Sequence, residues 1–320
     1  MGSRLGLWLL LAMMGLAGCG GGGVSSNLPT PSPTPTGTPV PAPSPTPIVP
    51  AASHVVVVVL ENHSFSQVIG SPSMPYLNSL ASQHGLAENY FANAHPSLSD
   101  YFMLTAGQIE ASDDNFTGTV SDDNVVRALA GTGRSWKAYL ENLPAAGYTG
   151  ASVYPYFKAH NPFAYLSDVL NSSPQAANMV PFTQLAADLS SASLPSFAFV
   201  VPNLQNDAHD CPGGAPACPD SDKLAAADNW LKTNIDPLIN SPAFANGVLI
   251  ITWDEGDAAD VANGGGQVAT VIAGMQVKAA FRSMTFYQHQ SVLRLILDLL
   301  GVSDHPGASA TAPSMGEFFQ

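Results

Sequence analysis

Six consecutive apolar residues, Val55 to Leu60, are followed directly by Glu61 and Asn62. A short β-branched run bounded by polar residues is typical of a strand that is buried on both faces. In open α/β sheets, ligands bind beyond the carboxyl ends of the strands. The carboxylate of Glu61 and the amide of Asn62 are oxygen donors of the kind that hard divalent cations prefer. The run therefore predicts a central strand with metal ligands at its end, and an ordinary polar loop is the alternative.

Segments typical of strands and of helices alternate along the chain from residue 53 onward. The predicted strands are 55–60, 88–91, 135–140, 196–201, 248–253 and 268–272, and the predicted helices are 74–84, 97–106, 122–130, 182–189, 223–239 and 291–300. This alternation favours an α/β fold in which helices cover both faces of a mostly parallel sheet. We expect residues 53–320 to form this domain.

The first 18 residues are predicted to be a signal peptide. Arg4 precedes an apolar run that is too short to span a membrane and fits the apolar core of a secretory signal. The run ends at Leu16-Ala17-Gly18-Cys19, which resembles the bacterial lipobox. The resemblance implies cleavage before Cys19, acylation of that cysteine, and an exported protein anchored in the cell envelope, with the outer membrane preferred. A plain secretory signal is the alternative.

Residues 19–52 are predicted to be a tether rich in glycine and proline. The segment PTPSPTPTGTPVPAPSPTP cannot build a packed core and favours extended polyproline II. At about 3.1 Å per residue, it would hold the domain tens of ångströms from a membrane. A ligand for proline-binding modules is the alternative.

The charge balance bears on the partners of the chain. The sequence has 24 Asp and Glu against 10 Lys and Arg, which gives a formal net charge of −14. This balance argues against a basic nucleic-acid interface. A phosphate-bearing substrate would need local positive charge, most simply a metal ion.

Two of the three cysteines, Cys211 and Cys218, bracket a turn rich in proline and glycine. A disulfide that closes this loop is plausible in an exported protein. A zinc-binding pair is the alternative, although the spacing fits no standard zinc finger.

Three predicted strands share one feature, which is a run of polar, ligand-type residues just after the carboxyl end. These runs are Glu61-Asn62, the stretch 203–210 and Asp254-Glu255. Because the ends of neighbouring strands meet at one crevice, Glu61, Asn62, Asp254 and Glu255 would give a divalent cation four oxygen donors. Three unrelated loops are the alternative.

A serine, Ser97, stands at the predicted start of a helix. The free N–H groups and the dipole of a helix N-terminus favour an anion such as an alkoxide or a phosphate. A serine in this position beside a metal can act as a nucleophile. The alternative is that Ser97 or Ser99 serves only as a helix cap.

Four motifs together resemble the bacterial phosphoesterase family, which contains acid phosphatases and phospholipases C and is related to the alkaline phosphatase superfamily. The motifs, in the family's order, are Leu60-Glu61-Asn62-His63-Ser64-Phe65, His95-Pro96-Ser97-Leu98, Pro202-Asn203 with Asp207-Ala208-His209-Asp210, and Thr252-Trp253-Asp254-Glu255. The resemblance covers about residues 54–301 and implies a three-layer α/β/α sandwich.

The resemblance also implies roles for individual residues. Glu61 and Asn62 match the first metal ligands, Asp254 and Glu255 match the later acidic pair, and Ser97 matches the nucleophile. His209 and His160 resemble histidines that contact the phosphoryl group or protonate the leaving oxygen. His289 resembles a late histidine near the substrate.

One departure from the family pattern is Asp100. The family has Asn at this position, and an ionised Asp cannot donate a hydrogen bond to a phosphate oxygen. Asp100 must therefore be protonated, turned away or bound to a positive group if it lies at the substrate. The stretch DEGDAADVANGGG also lacks the longer acidic motif of the phospholipase C branch, so the phosphatase branch fits better.

These observations predict a hydrolase of a small phosphate ester that depends on a divalent metal and forms a phosphoserine at Ser97. A phospholipase C-like phosphodiesterase and a catalytically inactive surface-binding lipoprotein are the alternatives. A metal-free serine esterase is disfavoured because the chain has no Gly-x-Ser-x-Gly motif.

Overall fold

The structure, a computed structural model, describes residues 21–23, 49–274 and 276–320. The predicted signal peptide, Cys19 and most of the predicted tether lie outside these residues. Within the described ranges, no helix has both the length and the apolar character that a membrane crossing requires.

An eight-stranded sheet forms the centre of the molecule. The strands are β1 His54–Leu60, β2 Gly85–Ala87, β3 Tyr90–Phe91, β4 Trp136–Leu140, β5 Met179–Pro181, β6 Phe197–Val201, β7 Gly247–Trp253, β8 Thr270–Gly274, β9 Phe281–Ser283 and β10 Tyr287–Gln288. The large sheet has the order β5-β4-β6-β1-β7-β8-β2-β9, and β3 pairs with β10 separately. Within the large sheet, β8 runs antiparallel to both neighbours and the other pairs are parallel. The predicted mostly parallel sheet is therefore confirmed.

Helices cover the two faces of this sheet. They are α1 Phe65–Val68, α2 Pro75–Gln83, α3 Ser97–Thr105, α4 Val125–Gly131, α5 Ser167–Leu170, α6 Ser173–Ala176, α7 Gln184–Ser190, α8 Asp220–Asn234, α9 Asp236–Ile239 and α10 His289–Leu299. Helix α2 packs against α8, and helix α3 packs against α10. Because β1, β6 and β7 are buried along their lengths, both faces of the sheet are covered, and the predicted α/β/α sandwich is confirmed.

Strand β1 lies between β6 and β7 near the middle of the sheet. In the parallel register Leu60 is level with Trp253 of β7, and Val58 is level with Val200 of β6. The residues that follow these three strands therefore emerge at one edge. This register places Glu61 beside Asp254, as the sequence predicted.

Two differences from the predicted elements have local causes. The predicted helix 223–239 is divided into α8 and α9, because Pro237, in the first turn of α9, lacks the N–H that a continuous helix would need. The strands β2, β5 and β9, three residues each, were not predicted, because a segment this short has no recognisable alternation and its pairing partners define it.

Candidate active site

The centre of the site is a buried carboxylate, Glu61, directly after β1. Its Oε1 lies 2.8 Å from Nε2 of His160, and Nδ1 of His160 lies 3.5 Å from Oδ2 of Asp207. All three side chains are buried, and the ring of Tyr101 stacks on that of His160. Burial would lower the pKa of His160, but the charges of Glu61 and Asp207 raise it above its ordinary value. His160 is therefore protonated at neutral pH, and it holds the pKa of Glu61 low against the effect of burial.

Ser97 is the first residue of α3, and its side chain faces Glu61. The Oγ of Ser97 donates a hydrogen bond to Oε2 of Glu61 over 3.2 Å, and the residue is 5% exposed. The hydroxyl of Ser99, in contrast, donates to the backbone oxygen of Ala111 over 2.6 Å. Of the two serines considered from the sequence, the structure thus directs Ser97 into the acidic cluster and Ser99 into the surrounding scaffold.

The acidic pair Asp254 and Glu255 follows β7. The backbone N–H of Asp254 donates to the oxygen of Leu60 over 3.0 Å, which fixes its distance from Glu61 along the edge of the sheet. Burial and the charge of Glu61 raise the pKa of Asp254 well above its usual range, and the pKa of Glu255 is raised for the same two reasons. Nδ1 of His95 lies 3.0 Å from Oε2 of Glu255. Several carboxylates therefore share one buried space.

Whether a divalent cation fits here depends on the donors that are present. Among the described residues, both carboxyl oxygens of the fully buried Asp254 lack a hydrogen-bond partner. Asn62, which is partly exposed, adds an amide beside Glu61. In the same residues, no three His, Cys, Asp or Glu side chains converge closely enough to form a ready-made metal cluster. The oxygen donors and the partnerless carboxylate fit a hard cation, although the side chains do not already form its shell.

A loop after β6 brings His209 to the same edge. Nδ1 of His209 lies 2.8 Å from Oδ1 of Asp210, and its side chain is 38% exposed. Its ring centroid lies 6.3 Å from that of His160. Glu141, after β4, anchors the loop by accepting hydrogen bonds from the N–H of Asn203 and the side chain of Asn206. The exposed ring is thus available to a ligand beside the buried cluster.

The predicted disulfide between Cys211 and Cys218 is present and closes the segment that follows this loop. It joins a loop that begins immediately after Asp210 to residues just before α8. The zinc-binding alternative for the two cysteines does not hold in this structure.

Asp100 and His289, both predicted as substrate contacts, make internal contacts instead. Oδ1 of Asp100 accepts hydrogen bonds from the backbone N–H groups of Asn93, over 2.7 Å, and Ala94, over 3.3 Å. His289 is fully buried, with Nδ1 2.9 Å from the hydroxyl of Tyr90 and Nε2 bonded to the backbone oxygen of Asp254. Both residues thus make contacts that hold the site together, and their contact with a substrate stays a prediction.

The backbone that leads into Ser97 also packs closely against the three glycines of residues 264–266. A Cβ at Gly264 would lie 2.0 Å from the oxygen of Asn93, and a Cβ at Gly265 would lie 2.3 Å from the oxygen of Ala94. Only a residue without a side chain permits this approach. The stretch that distinguished the sequence from the phospholipase C branch therefore packs against the segment before Ser97.

Asp207 and His95, which had no role predicted from the sequence, are brought into the site by the structure. Asp207 lies within the motif Asp207-Ala208-His209-Asp210, so the sequence could have indicated that it belongs to the site. His95 lies in the quoted motif His95-Pro96-Ser97-Leu98, two residues before the nucleophile candidate. Its contact with Glu255 depends on a pairing between distant segments and could not be inferred from spacing.

Comparison with known proteins identifies the family. The model of the Phosphoesterase family matches residues 71–303. The chain belongs to the Phosphoesterase family. It is accordingly a hydrolase that acts on phosphoric esters.

Curated relatives of this phosphoesterase carry phosphatase names. A phosphatidylinositol-3-phosphatase from Mycobacterium tuberculosis is 30% identical over 84% of this chain and 84% of its own length. A probable acid phosphatase from Kluyveromyces lactis is 28% identical over 78% of this chain and 59% of its own length. A phosphate-repressible acid phosphatase from Penicillium chrysogenum is 29% identical over 76% of this chain and 58% of its own length. The chain thus spans less than two thirds of the two fungal enzymes.

Solved structures show the fold. An alkaline phosphatase superfamily protein from Vibrio parahaemolyticus has a TM-score of 0.59 at 14% identity, covering 82% of this chain and 69% of that one. A phosphonate monoester hydrolase from Silicibacter pomeroyi has a TM-score of 0.54 at 11% identity, covering 83% and 76%. The phosphoesterase described here therefore has the alkaline phosphatase-like fold that its sequence predicted.

Proposed function

We propose that this phosphoesterase is a metal-dependent, acid phosphatase-like phosphomonoesterase that forms a phosphoserine at Ser97. The observation that carries the proposal is the hydrogen bond from the hydroxyl of Ser97 to Glu61. It joins a serine at a helix N-terminus to a cluster of buried carboxylates.

A divalent cation would be held by Glu61, Asn62, Asp254 and Glu255. Its proposed contribution is to polarise a phosphoryl oxygen and to make the hydroxyl of Ser97 more acidic. The support is the donor set itself. Asp254 is buried without a hydrogen-bond partner among the described residues, and neighbouring carboxylates oppose its ionisation, so a cation would relieve both costs.

The residues of the chain account for the remaining chemistry. Oγ of Ser97, oriented by its hydrogen bond to Oε2 of Glu61 3.2 Å away, attacks phosphorus, and the serine proton passes to solvent water. The bond between phosphorus and the leaving oxygen breaks, and the proton on His209 goes to that oxygen, with Asp210 orienting the ring through Nδ1. Protonated His160 offsets negative charge beside Glu61. Water then attacks the phosphoserine and gives its proton to His209, the bond between phosphorus and Oγ of Ser97 breaks, Oγ takes a proton from solvent, and phosphate is released.

The names of the relatives support a monoester substrate. The mycobacterial relative is a phosphatidylinositol-3-phosphatase and the fungal relatives are acid phosphatases, all named for removing a phosphate group. We infer that this chain, too, acts on a monoester. Activity on diesters alone would instead favour a phospholipase C-like role, and binding without turnover would favour a surface-binding lipoprotein.

We propose that the domain is exported and is attached to the cell envelope through a lipid on Cys19. The disulfide between Cys211 and Cys218 supports an oxidising compartment. Labelling cells with radioactive palmitate should mark the wild-type chain and leave Cys19→Ser unlabelled. Equal labelling of both would contradict the lipid anchor.

The proposed reaction is tested by trapping its intermediate. The full chain is mixed with an aryl phosphate labelled in the phosphoryl group, quenched in acid and mapped by peptide mass spectrometry. We expect the label on Ser97 and none on the Ser97→Ala variant. An aryl diester is assayed in parallel. Rapid hydrolysis of the monoester without a phosphoserine, or with full activity of Ser97→Ala, would refute the proposed mechanism.

A further inference from the structure

A carboxylate already lies at the helix N-terminus where the phosphoryl group has to bind. Oδ1 of Asp114 accepts a hydrogen bond of 3.0 Å from the backbone N–H of Leu98, the residue directly after Ser97. Asp114 belongs to the loop 109–118 between α3 and α4. The contact was not expected from the sequence, because it joins two segments 16 residues apart.

The loop that carries Asp114 is fixed on both sides of this residue. The hydroxyl of Ser99 holds the backbone oxygen of Ala111, and the ring of Phe116 packs edge-on against Phe102 of α3. These contacts hold the backbone of the loop, on both sides of Asp114, beside the start of α3.

The amides at this end of α3 are suited to an anion. The helix has nine residues, so the N–H groups of its first turn and its dipole favour negative charge. A phosphoryl group in contact with Oγ of Ser97 has its other oxygens within reach of the N–H that follows. At the end of the neighbouring strand β7, the fully buried carboxylate of Asp254 lacks a hydrogen-bond partner among the described residues, which indicates that the site as a whole lacks a ligand.

Asp114 also adds to the negative field of the site. Burial raises the pKa of the Asp114 carboxyl, the hydrogen bond from the Leu98 N–H acts to lower it, and the charge of Glu61 acts to raise it. An incoming phosphate monoester is therefore opposed by Asp114 in two ways, through its charge and through its occupation of the Leu98 N–H.

We infer that Asp114 is an internal anion that competes with the phosphoryl group for the Leu98 N–H and thereby limits the affinity of the enzyme for phosphate. The inference rests on the proposed function, in which the phosphoryl group is transferred to Ser97. Its consequence is weak product inhibition. Released phosphate is displaced when the carboxylate of Asp114 returns to the amide.

Two substitutions separate charge from hydrogen bonding. Asp114→Asn retains an oxygen that can accept from Leu98 and removes only the charge. Asp114→Ala removes both the charge and the acceptor, so the amide becomes free for phosphate. Asp113→Asn is the matched control, because Asp113 is the neighbouring residue, is exposed, and accepts hydrogen bonds from Asn115 within the same loop.

The experiment measures inorganic phosphate directly. Its Kd is determined by titration calorimetry on the full chain, and its Ki is determined against hydrolysis of an aryl phosphate. We expect both constants to fall about threefold in Asp114→Asn and about tenfold or more in Asp114→Ala, as expected for removal of a nearby like charge. The control should stay within about twofold of the wild type.

The outcomes are distinguishable from failure of the proposed function. A Kd that is unchanged or raised in both Asp114 variants would overturn the inference and assign Asp114 to capping α3 or to binding a cation. If Asp114→Ala has a lower melting temperature and does not bind phosphate more tightly, the role of Asp114 is to cap α3. Absence of phosphate binding in every variant also overturns the inference. The proposed function fails separately if phosphate binds as expected but no phosphoserine forms.

Discussion

The hydroxyl of Ser97 donates a hydrogen bond to Oε2 of Glu61, while Oε1 of the same carboxylate lies 2.8 Å from His160. One buried side chain therefore connects the nucleophile candidate at the start of α3 to the charged histidine on the segment 158–160. This connection makes Ser97, and not its neighbour Ser99, the first residue to test.

Replacing Ser97 with Ala should lower kcat for an aryl phosphate by about a thousandfold or more, because the covalent route is lost. Ser99→Ala is the matched control. It removes the hydrogen bond to Ala111 and should lower the melting temperature while leaving kcat within about threefold of the wild type. Steady-state kinetics and thermal unfolding measure both effects. Equal kcat values for the two variants would contradict the assignment.

Replacing His209 with Ala should reduce activity more for substrates with poor leaving groups. An alkyl alkoxide needs the proton that His209 would donate, whereas a nitrophenolate leaves without it. The expected loss is about a hundredfold on an alkyl phosphate and less than about tenfold on a nitrophenyl phosphate. Asp210→Asn, which retains the ring and weakens its orientation, should show a smaller difference of the same kind. A loss that is equal for both substrates would indicate a binding role.

Removing divalent ions with a chelator should abolish activity and also lower the melting temperature. The reason is that a bound cation stabilises only the folded state, by about 2.7 kcal/mol when its concentration is a hundred times its Kd. Asp254→Asn should lose this sensitivity, because it removes a negative charge that would bind the cation and also the repulsion among the carboxylates. Differential scanning calorimetry with and without added metal checks the stabilisation independently of turnover. Identical curves would contradict metal binding.

Opening the disulfide should destabilise the loop that carries His209. Cys211 and Cys218 are separated by seven positions. A closed loop of about eight residues is expected to contribute about 2.5 kcal/mol to the free energy of unfolding. The Cys211→Ser, Cys218→Ser double variant should show this loss in urea unfolding, and a reductant should bring the wild type to the same value. A reductant effect on the double variant itself would show that the loss has another source.

The free energy of unfolding of the domain should fall in acid because Asp188 becomes protonated. It accepts hydrogen bonds from Lys137, from the hydroxyl of Tyr139 over 2.7 Å and from Gln184 over 2.9 Å. Burial acts to raise the pKa of Asp188, but these donors outweigh it and lower the pKa below its ordinary value. The stabilisation is therefore present above the unfolded-state pKa of about 3.9 and is lost as the pH falls through the lower, folded-state pKa.

The Asp188→Asn variant tests this dependence. At neutral pH it should unfold about 2 kcal/mol more easily than the wild type, and the difference should shrink below about pH 4. Urea unfolding at several pH values measures it. Asp123→Asn, which alters an exposed ion pair with Arg127, serves as a control and should change stability by less than about 0.5 kcal/mol at each pH. A difference that grows in acid would contradict the assignment.

The sequence by itself determined the long central strands and the positions of the acidic motifs. The run Val55–Leu60 specifies a buried strand because its apolar character is local, and the parallel register then carries Glu61 to the same edge as Asp254. The start of α3 at Ser97 was also predicted, although the residue at the N-cap is Pro96 and the hydroxyls of Ser97 and Ser99 bond elsewhere.

Only the tertiary structure decided which polar groups remain free for a substrate. Asp100 and His289 were expected to face the ligand, yet Asp100 bonds the amides of Asn93 and Ala94, and His289 bonds Tyr90 and the backbone of Asp254. Asp114 gave no signal, although it occupies the amide beside Ser97. A buried polar side chain takes whichever partner the packing of distant segments brings within about 3 Å, and residue order along the chain does not encode that choice.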